Sequence, residues 1–244
     1  MPTLQGQTVS ILIPTTIEIP KGAVTLGTPP CPPNANLNGR WHTGKRVEIP
    51  AFAMGKFAVT NREYRAYVKA SGAPMPSHID KEGFNQDNQP VGGISWEDAA
   101  GYCRWLAKET GKPYRLPRDS EWEYAARGGR ENSLFPWGDA LDPKLACFGG
   151  VAGPRPVGSY PANGFGLHDM VGNIWQWCEE KFEQMSDGIK AVNKPTGKDP
   201  SVNRCLRGGS YLTTNVLNLW IAYRHEDPPD LRHECLGFRV ALGA

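Results

Sequence analysis

Six cysteines and five histidines are the residues best able to do chemistry in this 244-residue chain, and their spacing argues against the commonest uses of both. Cys31, Cys103, Cys147, Cys178, Cys205 and Cys235 are scattered with no C-x-x-C pair, which argues against a zinc ribbon or a thioredoxin-like site. Most of them read as reduced thiols, several in the core, and their spacing fixes no disulfide connectivity. His42, His78, His168, His225 and His233 stand singly, without the H-x-x-x-H or H-x-E spacing that would set ligands together. His225 with Glu226 and Asp227, and His233 with Glu234, are the best candidates for a metal site. The plainer reading makes them polar loop residues.

Recognition chemistry is concentrated between Tyr211 and Leu236. Thr213, Thr214, Asn215, Asn218, Trp220, Tyr223, His225, Asp227, Leu231, His233 and Cys235 all read as exposed there. Ala222, Arg224, Pro228, Arg232 and Gly237 read as framework between them. An aromatic ringed by polar groups suits binding, because it offers a large, stiff contact area at low entropic cost. Trp220, Tyr223, His225 and Asp227 are the residues expected to carry a contact with a protein or a glycan.

Helices and turns must position these groups. Thr60-Asn61-Arg62-Glu63 has the form of a capping box, followed by an apolar face of Tyr64, Tyr67 and Val68 and a stop at Gly72. Ser95 with Asp98 opens a second helix, whose stripe is Ala99, Cys103, Leu106 and Ala107 and whose end is marked by Gly111 and Pro113. A third, short helix is expected through Glu121–Ala126, stopping at Gly128-Gly129. Strand-like pieces lie at Val9–Ile13 and Ala23–Leu26, with a Pro- and Asn-rich loop over Pro29–Asn38. Beyond the third helix, periodicity is hard to find for about a hundred residues.

The totals narrow the class. With 28 Gly and 22 Pro, much of the chain must be loop and turn, and eight Trp call for partners for their indole N–H groups. A formal charge of +2 gives no electrostatic reason to invoke nucleic acid. No apolar run is long enough to span a bilayer. Met1 to Pro20 lack the basic start and apolar stretch of a signal peptide, so the cytoplasm is the default expectation.

Four motifs occur in order. They are Lys56-Phe57-Ala58-Val59-Thr60-Asn61-Arg62-Glu63-Tyr64; Ser95-Trp96-Glu97-Asp98-Ala99 continuing to Arg115-Leu116-Pro117 and Glu121–Gly129; Asn163-Gly164-Phe165-Gly166-Leu167 through Val171-Gly172-Asn173-Ile174-Trp175-Gln176-Trp177; and Arg207-Gly208-Gly209-Ser210-Tyr211 closed by Gly237-Phe238-Arg239-Val240. Together they resemble the formylglycine-generating enzyme, or sulfatase-modifying factor, family from about Pro20 to the end. The resemblance implies an α+β, irregular and loop-rich variant of the C-type lectin fold, with two main helices and short strands over a single domain, 1–244.

In the copper-dependent members two cysteines follow the Arg-Gly-Gly-Ser-aromatic motif and bind Cu(I), a soft ion that prefers thiolates. In register, those positions are Thr213 and Asn218 here, so no copper is expected. The resemblance also implies a structural calcium at Asp169, Gly172, Ile174 and Gln176, although Gln176 replaces the family's Glu and Asp169 stands where Asn is common. The iron-binding helical bundle that accompanies this domain in ergothioneine-pathway oxygenases has no counterpart.

The segment 211–236 further resembles the variable proteins of diversity-generating retroelements, in which adenine-directed mutagenesis rewrites Asn-type codons near the C-terminus. Every candidate there except Trp220 is reachable from an Asn codon by changing adenines alone, whereas Glu226 and Glu234 are not. The expectation is a non-catalytic ligand-binding protein displaying 211–236. The alternative is a metal-dependent oxidoreductase of the same family with a non-standard site at His225, His233 and Cys235, for example in natural-product or siderophore maturation.

Overall fold

The computed structural model describes residues 11–30, 32, 40–41, 44–182 and 202–243. The first strand, β1 (Thr16–Ile19), begins later than the expected Val9–Ile13. Of that expected strand, Val9 and Ser10 lie outside the described residues, and 11–13 are irregular. Pro14 supplies the reason: it lacks an N–H to donate to a ladder and restricts the residue before it. β2 (Gly22–Thr25) covers most of the expected second strand, and β3 (Arg46–Ile49) and β4 (Phe52–Gly55) follow. Most of the expected Pro29–Asn38 loop, with Cys31 and His42, lies outside the described residues.

The helices start where their caps place them. In α1 (Asn61–Ser71) the Thr60 hydroxyl accepts from the Glu63 N–H, and the Glu63 carboxylate accepts from the Thr60 N–H at 2.8 Å. Ser95 and Asp98 repeat the exchange at α2 (Trp96–Thr110), and Gly72 and Gly111 end the two helices in the left-handed region. α3 (Asp119–Arg127) runs slightly beyond both ends of its expected span, its start closed by the Glu121 carboxylate on the Arg118 N–H. α1 and α2 meet through Tyr64, Tyr67 and Tyr102, with Tyr64 and Tyr102 stacked at 5.9 Å and Phe238 edge-on to both.

Two four-stranded sheets carry the frame. One has the order β1-β4-β10-β5, with β5 (Tyr114–Arg115) and β10 (Ala241–Leu242). The other has the order β8-β7-β6-β9, with β6 (Trp175–Lys181), β7 (Arg204–Arg207), β8 (His225–Asp227) and β9 (Leu236–Gly237). β2 and β3 form a separate pair. From Gly128 to Ile174 there is neither helix nor named strand, and side chains do the work of a ladder. Asn163 donates to the carbonyls of Ala125 and Ala126, while Asn173 brackets both backbone groups of Arg155. Three indole N–H groups find their acceptors inside the fold: Trp122 donates to Gln176, Trp177 to the Ile94 carbonyl and Trp96 to the Cys178 carbonyl.

A buried ionic network joins α3 to the second sheet. Asp119 holds Arg207 and Arg224, and Glu123 holds Arg207 at 2.9 Å and Arg127 at 2.7 Å. Glu180 touches its edge, accepting the Asp119 N–H at 2.8 Å. Burial first, with the nearby Asp119 charge adding to it, pushes the Glu180 carboxyl up to about 7. The folded state therefore holds this proton more tightly than the unfolded chain does. The resulting stability is complete below about pH 4.5 and is lost as pH rises through about 7, a loss on the order of 2 kcal/mol after discounting for partial exposure. Glu180→Gln is expected to be more stable than the parent at pH 8 and to show a flatter stability profile from pH 5 to 8. Parallel slopes in urea titrations would assign the dependence elsewhere.

Candidate functional site

The segment 211–236 follows β7. Between them Gly208 and Gly209 have φ of 93° and 73°, a backbone that side chains rarely adopt. A Cβ on Gly208 would lie 2.6 Å from the Met170 carbonyl, and one on Gly209 would lie 2.7 Å from Leu219. The chain then turns tightly: the Thr213 hydroxyl accepts from the Ser210 N–H at 2.9 Å, and the Thr213 N–H donates to the Ser210 carbonyl. Asn215 caps a 3₁₀ turn, Val216–Leu219, by accepting the Leu217 N–H. The positions matching the copper cysteines both pass close to Gly209, Asn218 by its backbone. The Thr213 Oγ1 lies 3.3 Å and the Asn218 carbonyl 3.2 Å from where a Gly209 Cβ would be.

Three residues expected to be exposed are buried: Thr213, Tyr223 and Cys235. Tyr223 lies edge-on to Trp41 at 6.5 Å and accepts a hydrogen bond from Arg40 at 3.0 Å, so its hydroxyl is already engaged. Trp220 is half-buried against Trp41 at 5.8 Å. Both anchors come from the N-terminal part of the chain, and no local pattern in 211–236 announces them. Burial pushes the Cys235 thiol up to about 11, leaving it protonated at neutral pH, with His233 Nδ1 3.1 Å from its sulfur. Asn215, Leu231 and His233 are exposed, and Asn218, His225 and Asp227 are half-buried.

His225 is held by groups its sequence neighbourhood only half reveals. Its ring stacks on Trp175 at 5.0 Å, and Arg40 approaches Nδ1 at 2.6 Å. A guanidinium can only donate, so Nδ1 accepts and the proton sits on Nε2, which faces Asp227 at 3.4 Å. Across the segment, His78 pairs with Glu234 at 3.7 Å. Among the described residues, the one set of three His, Cys, Asp or Glu side chains close enough to share an ion is Asp119, Cys178 and Cys205, all in the core. His225, His233 and Cys235 are not gathered into such a set.

The calcium set fares differently from its expectation. Gln176 is fully buried, its Oε1 accepting from both Trp122 and Arg239 and its Nε2 donating to the Asp169 carbonyl. The Asp169 carboxylate, at a residue with φ of 53°, accepts the Gly158 N–H. Burial pushes the Asp169 carboxyl up. The Gly172 carbonyl accepts the Ile174 N–H. The Arg239 guanidinium donates to the Gln176 Oε1 and to the Asp169 carbonyl, which puts a cation where two oxygens of the set would have to face a divalent ion.

The motif frame and its geometry agree with the comparison of the whole chain. The sulfatase-modifying factor enzyme 1-like domain matches residues 2–244. The chain belongs to this family. Among its relatives, the formylglycine-generating enzyme of Streptomyces coelicolor is 37% identical, over 81% of this chain and 80% of that protein. The inactive C-alpha-formylglycine-generating enzyme 2 of Bos taurus is 26% identical, over 98% of this chain and 90% of that protein. Of solved structures, PvdO from Pseudomonas aeruginosa superposes with a TM-score of 0.78 at 27% identity, covering 95% of each chain. Treponema denticola variable protein 1 also reaches 0.78, at 21% identity over 99% of each, a likeness of fold. Within this family frame, the α+β, loop-rich architecture is as the motifs implied. Among the described residues no helix is long and apolar enough to cross a membrane.

Proposed function

We propose that this family member is a ligand-binding protein, not a formylglycine-generating oxidase, and that its ligand is a protein met by the surface of 211–236. The observation that carries the reading is that Thr213 and Asn218 occupy the positions where the copper-dependent relatives have thiolates. A hydroxyl bonded to Ser210 and an amide cannot hold Cu(I). The inactive bovine relative supports a family in which the scaffold outlives the oxidation.

Exposed aliphatic side chains support a protein partner over a glycan. Of the eight large hydrophobics exposed among the described residues, Leu212, Val216 and Leu231 lie in 211–236. Val151, a fourth, belongs to a loop bonded to the same turn, through Gly149 to the Thr213 carbonyl and Gly150 to the Tyr211 carbonyl. Apolar groups at a polar rim are the usual core of a protein contact.

Two experiments bear on this. Incubated with Cu(I), oxygen and a cysteine-bearing sulfatase peptide, the chain is expected to make no aldehyde and to retain no stoichiometric copper; turnover would sink the binding reading. Against a panel of purified candidate proteins in biolayer interferometry, Leu212→Asp and Leu231→Asp are expected to weaken any hit at least about tenfold, as central contact residues do. Met75→Asp, on an exposed residue outside the segment, is expected to leave it unchanged. Hits only on a glycan array would overturn the choice of partner.

A further inference from the structure

β6 and β7 run antiparallel with Trp177 opposite Leu206. One step further along each strand stand Cys178 and Cys205, both fully buried, with sulfurs within 4.8 Å of each other. Sulfurs this close on neighbouring strands need only a change of side-chain rotamer and a small backbone shift to reach bonding distance. The register slips between Trp177 and Lys181, the stretch that holds Cys178, and this irregularity gives the backbone room to adjust.

Asp119 completes the cluster, but both of its carboxylate oxygens are engaged. One meets Arg207 and the other meets Arg224 at 2.8 Å. A metal would have to displace both guanidiniums. A sulfur–sulfur bond displaces neither. It costs the weak contacts of the Cys205 thiol with Asp119 at 3.4 Å and with the Leu206 carbonyl at 3.9 Å, and the carboxylate keeps its two cations.

We propose that Cys178 and Cys205 are a cross-strand disulfide pair, closed by exchange with a small-molecule disulfide while the chain folds. One cysteine thiolate attacks the small disulfide, breaking its S–S bond and releasing one small thiol. The second thiolate then attacks the protein-side sulfur of the mixed disulfide, forms the Cys178–Cys205 bond and releases a second small thiol. The two protons lost by the protein end on the two released thiols, and the small disulfide is the species reduced. Timing follows from burial. In the folded chain burial, then the adjacent Cys205, hold the Cys178 thiol well above the usual range, and no oxidant reaches either sulfur. Exchange belongs to the stage before β7 docks on β6. The bond would staple the strand leading to Gly208-Gly209, and it does not depend on the ligand reading above.

The test is to unfold the full chain under reductant and refold it in parallel with reduced glutathione alone and with a reduced/oxidised glutathione mixture. Each sample is then alkylated in denaturant and mapped by peptide mass spectrometry. The expected result is a Cys178–Cys205 peptide pair lighter by two hydrogens, two fewer alkylated thiols, and a Tm higher by roughly 5–10 °C than the reduced sample. Cys178→Ala and Cys205→Ala are each expected to lose that difference between the two refolding conditions. Full alkylation of all six cysteines after oxidative refolding would overturn the proposal. Cys178 joined to a different cysteine, or stoichiometric zinc or copper protecting the reduced pair, would overturn it equally. The oxidised-against-reduced comparison uses the unaltered chain, so poor folding of a variant does not affect the outcome.

Discussion

Arg207→Leu is expected to lower the stability of the chain by about 3–5 kcal/mol, the range for removing one partner of a buried ion pair. The side chain is completely buried, and its guanidinium lies between the carboxylates of Asp119 and Glu123. It also donates to the Ile221 carbonyl at 2.8 Å and to the Tyr223 carbonyl at 3.1 Å, and sits 5.6 Å from the Trp122 ring centre. Leucine restores part of the volume and none of the donors. Asp119 would keep Arg224 and Glu123 would keep Arg127, which argues for the lower end of the range. Urea titrations supply the number, and Arg46→Leu supplies the contrast. Arg46 pairs with Glu131 on the surface at 3.3 Å, where a pair contributes about 0–1 kcal/mol. A local readout follows from the two carbonyls: amide exchange at 221–224 should accelerate in Arg207→Leu. If Arg207→Leu stayed within about 1 kcal/mol of the parent, the network would not be what fastens the displayed segment to α3.

What was legible in the sequence is what depends on near neighbours. Thr60 with Glu63 and Ser95 with Asp98 are three residues apart, so both helix starts could be read directly, and so could the glycine stops. The motif order gave the family, and with it the α+β, loop-rich frame. The errors are long-range. Tyr223 read as a displayed aromatic because nothing in 211–236 says that Trp41 and Arg40 cover it from the other end of the chain. His225 has acidic neighbours in sequence, while the groups that orient it, Trp175 and Arg40, are remote. The Cys178–Cys205 pair was invisible for the same reason, since register between β6 and β7 cannot be counted from spacing across a bulge. At the expected calcium set a remote residue, Arg239, sits on the Gln176 amide and the Asp169 carbonyl, and no pattern near Gln176 could show it.

That residue carries the second large effect. Arg239→Leu is expected to cost at least about 3 kcal/mol and to leave little folded protein at 37 °C, because it strips partners from several buried acceptors at once. Nε donates to Gln176 at 2.7 Å, Nη1 to the Gly55 carbonyl at 2.8 Å, and Nη2 to the carbonyls of His168 at 2.8 Å and Asp169 at 3.3 Å. One planar fork thus ties the end of β4 to the 168–169 turn and to β6. Arg239→Lys should recover less than half of the loss, since a single ammonium cannot reach acceptors fanned around a guanidinium plane. Burial pulls Arg239 down to about 10, so it remains a cation at neutral pH beside the turn that Asp169 closes. A second cation at the same oxygens would meet that charge, with Gln176 Oε1 already accepting two hydrogen bonds. Millimolar calcium is accordingly expected to leave the Tm of the unaltered chain where it is. A ligand present at about a hundred times its Kd would stabilise the fold by about 2.7 kcal/mol, well within reach of calorimetry. A calcium-dependent rise of that size, abolished by Gln176→Ala, would mean that the ion and not the guanidinium organises this turn.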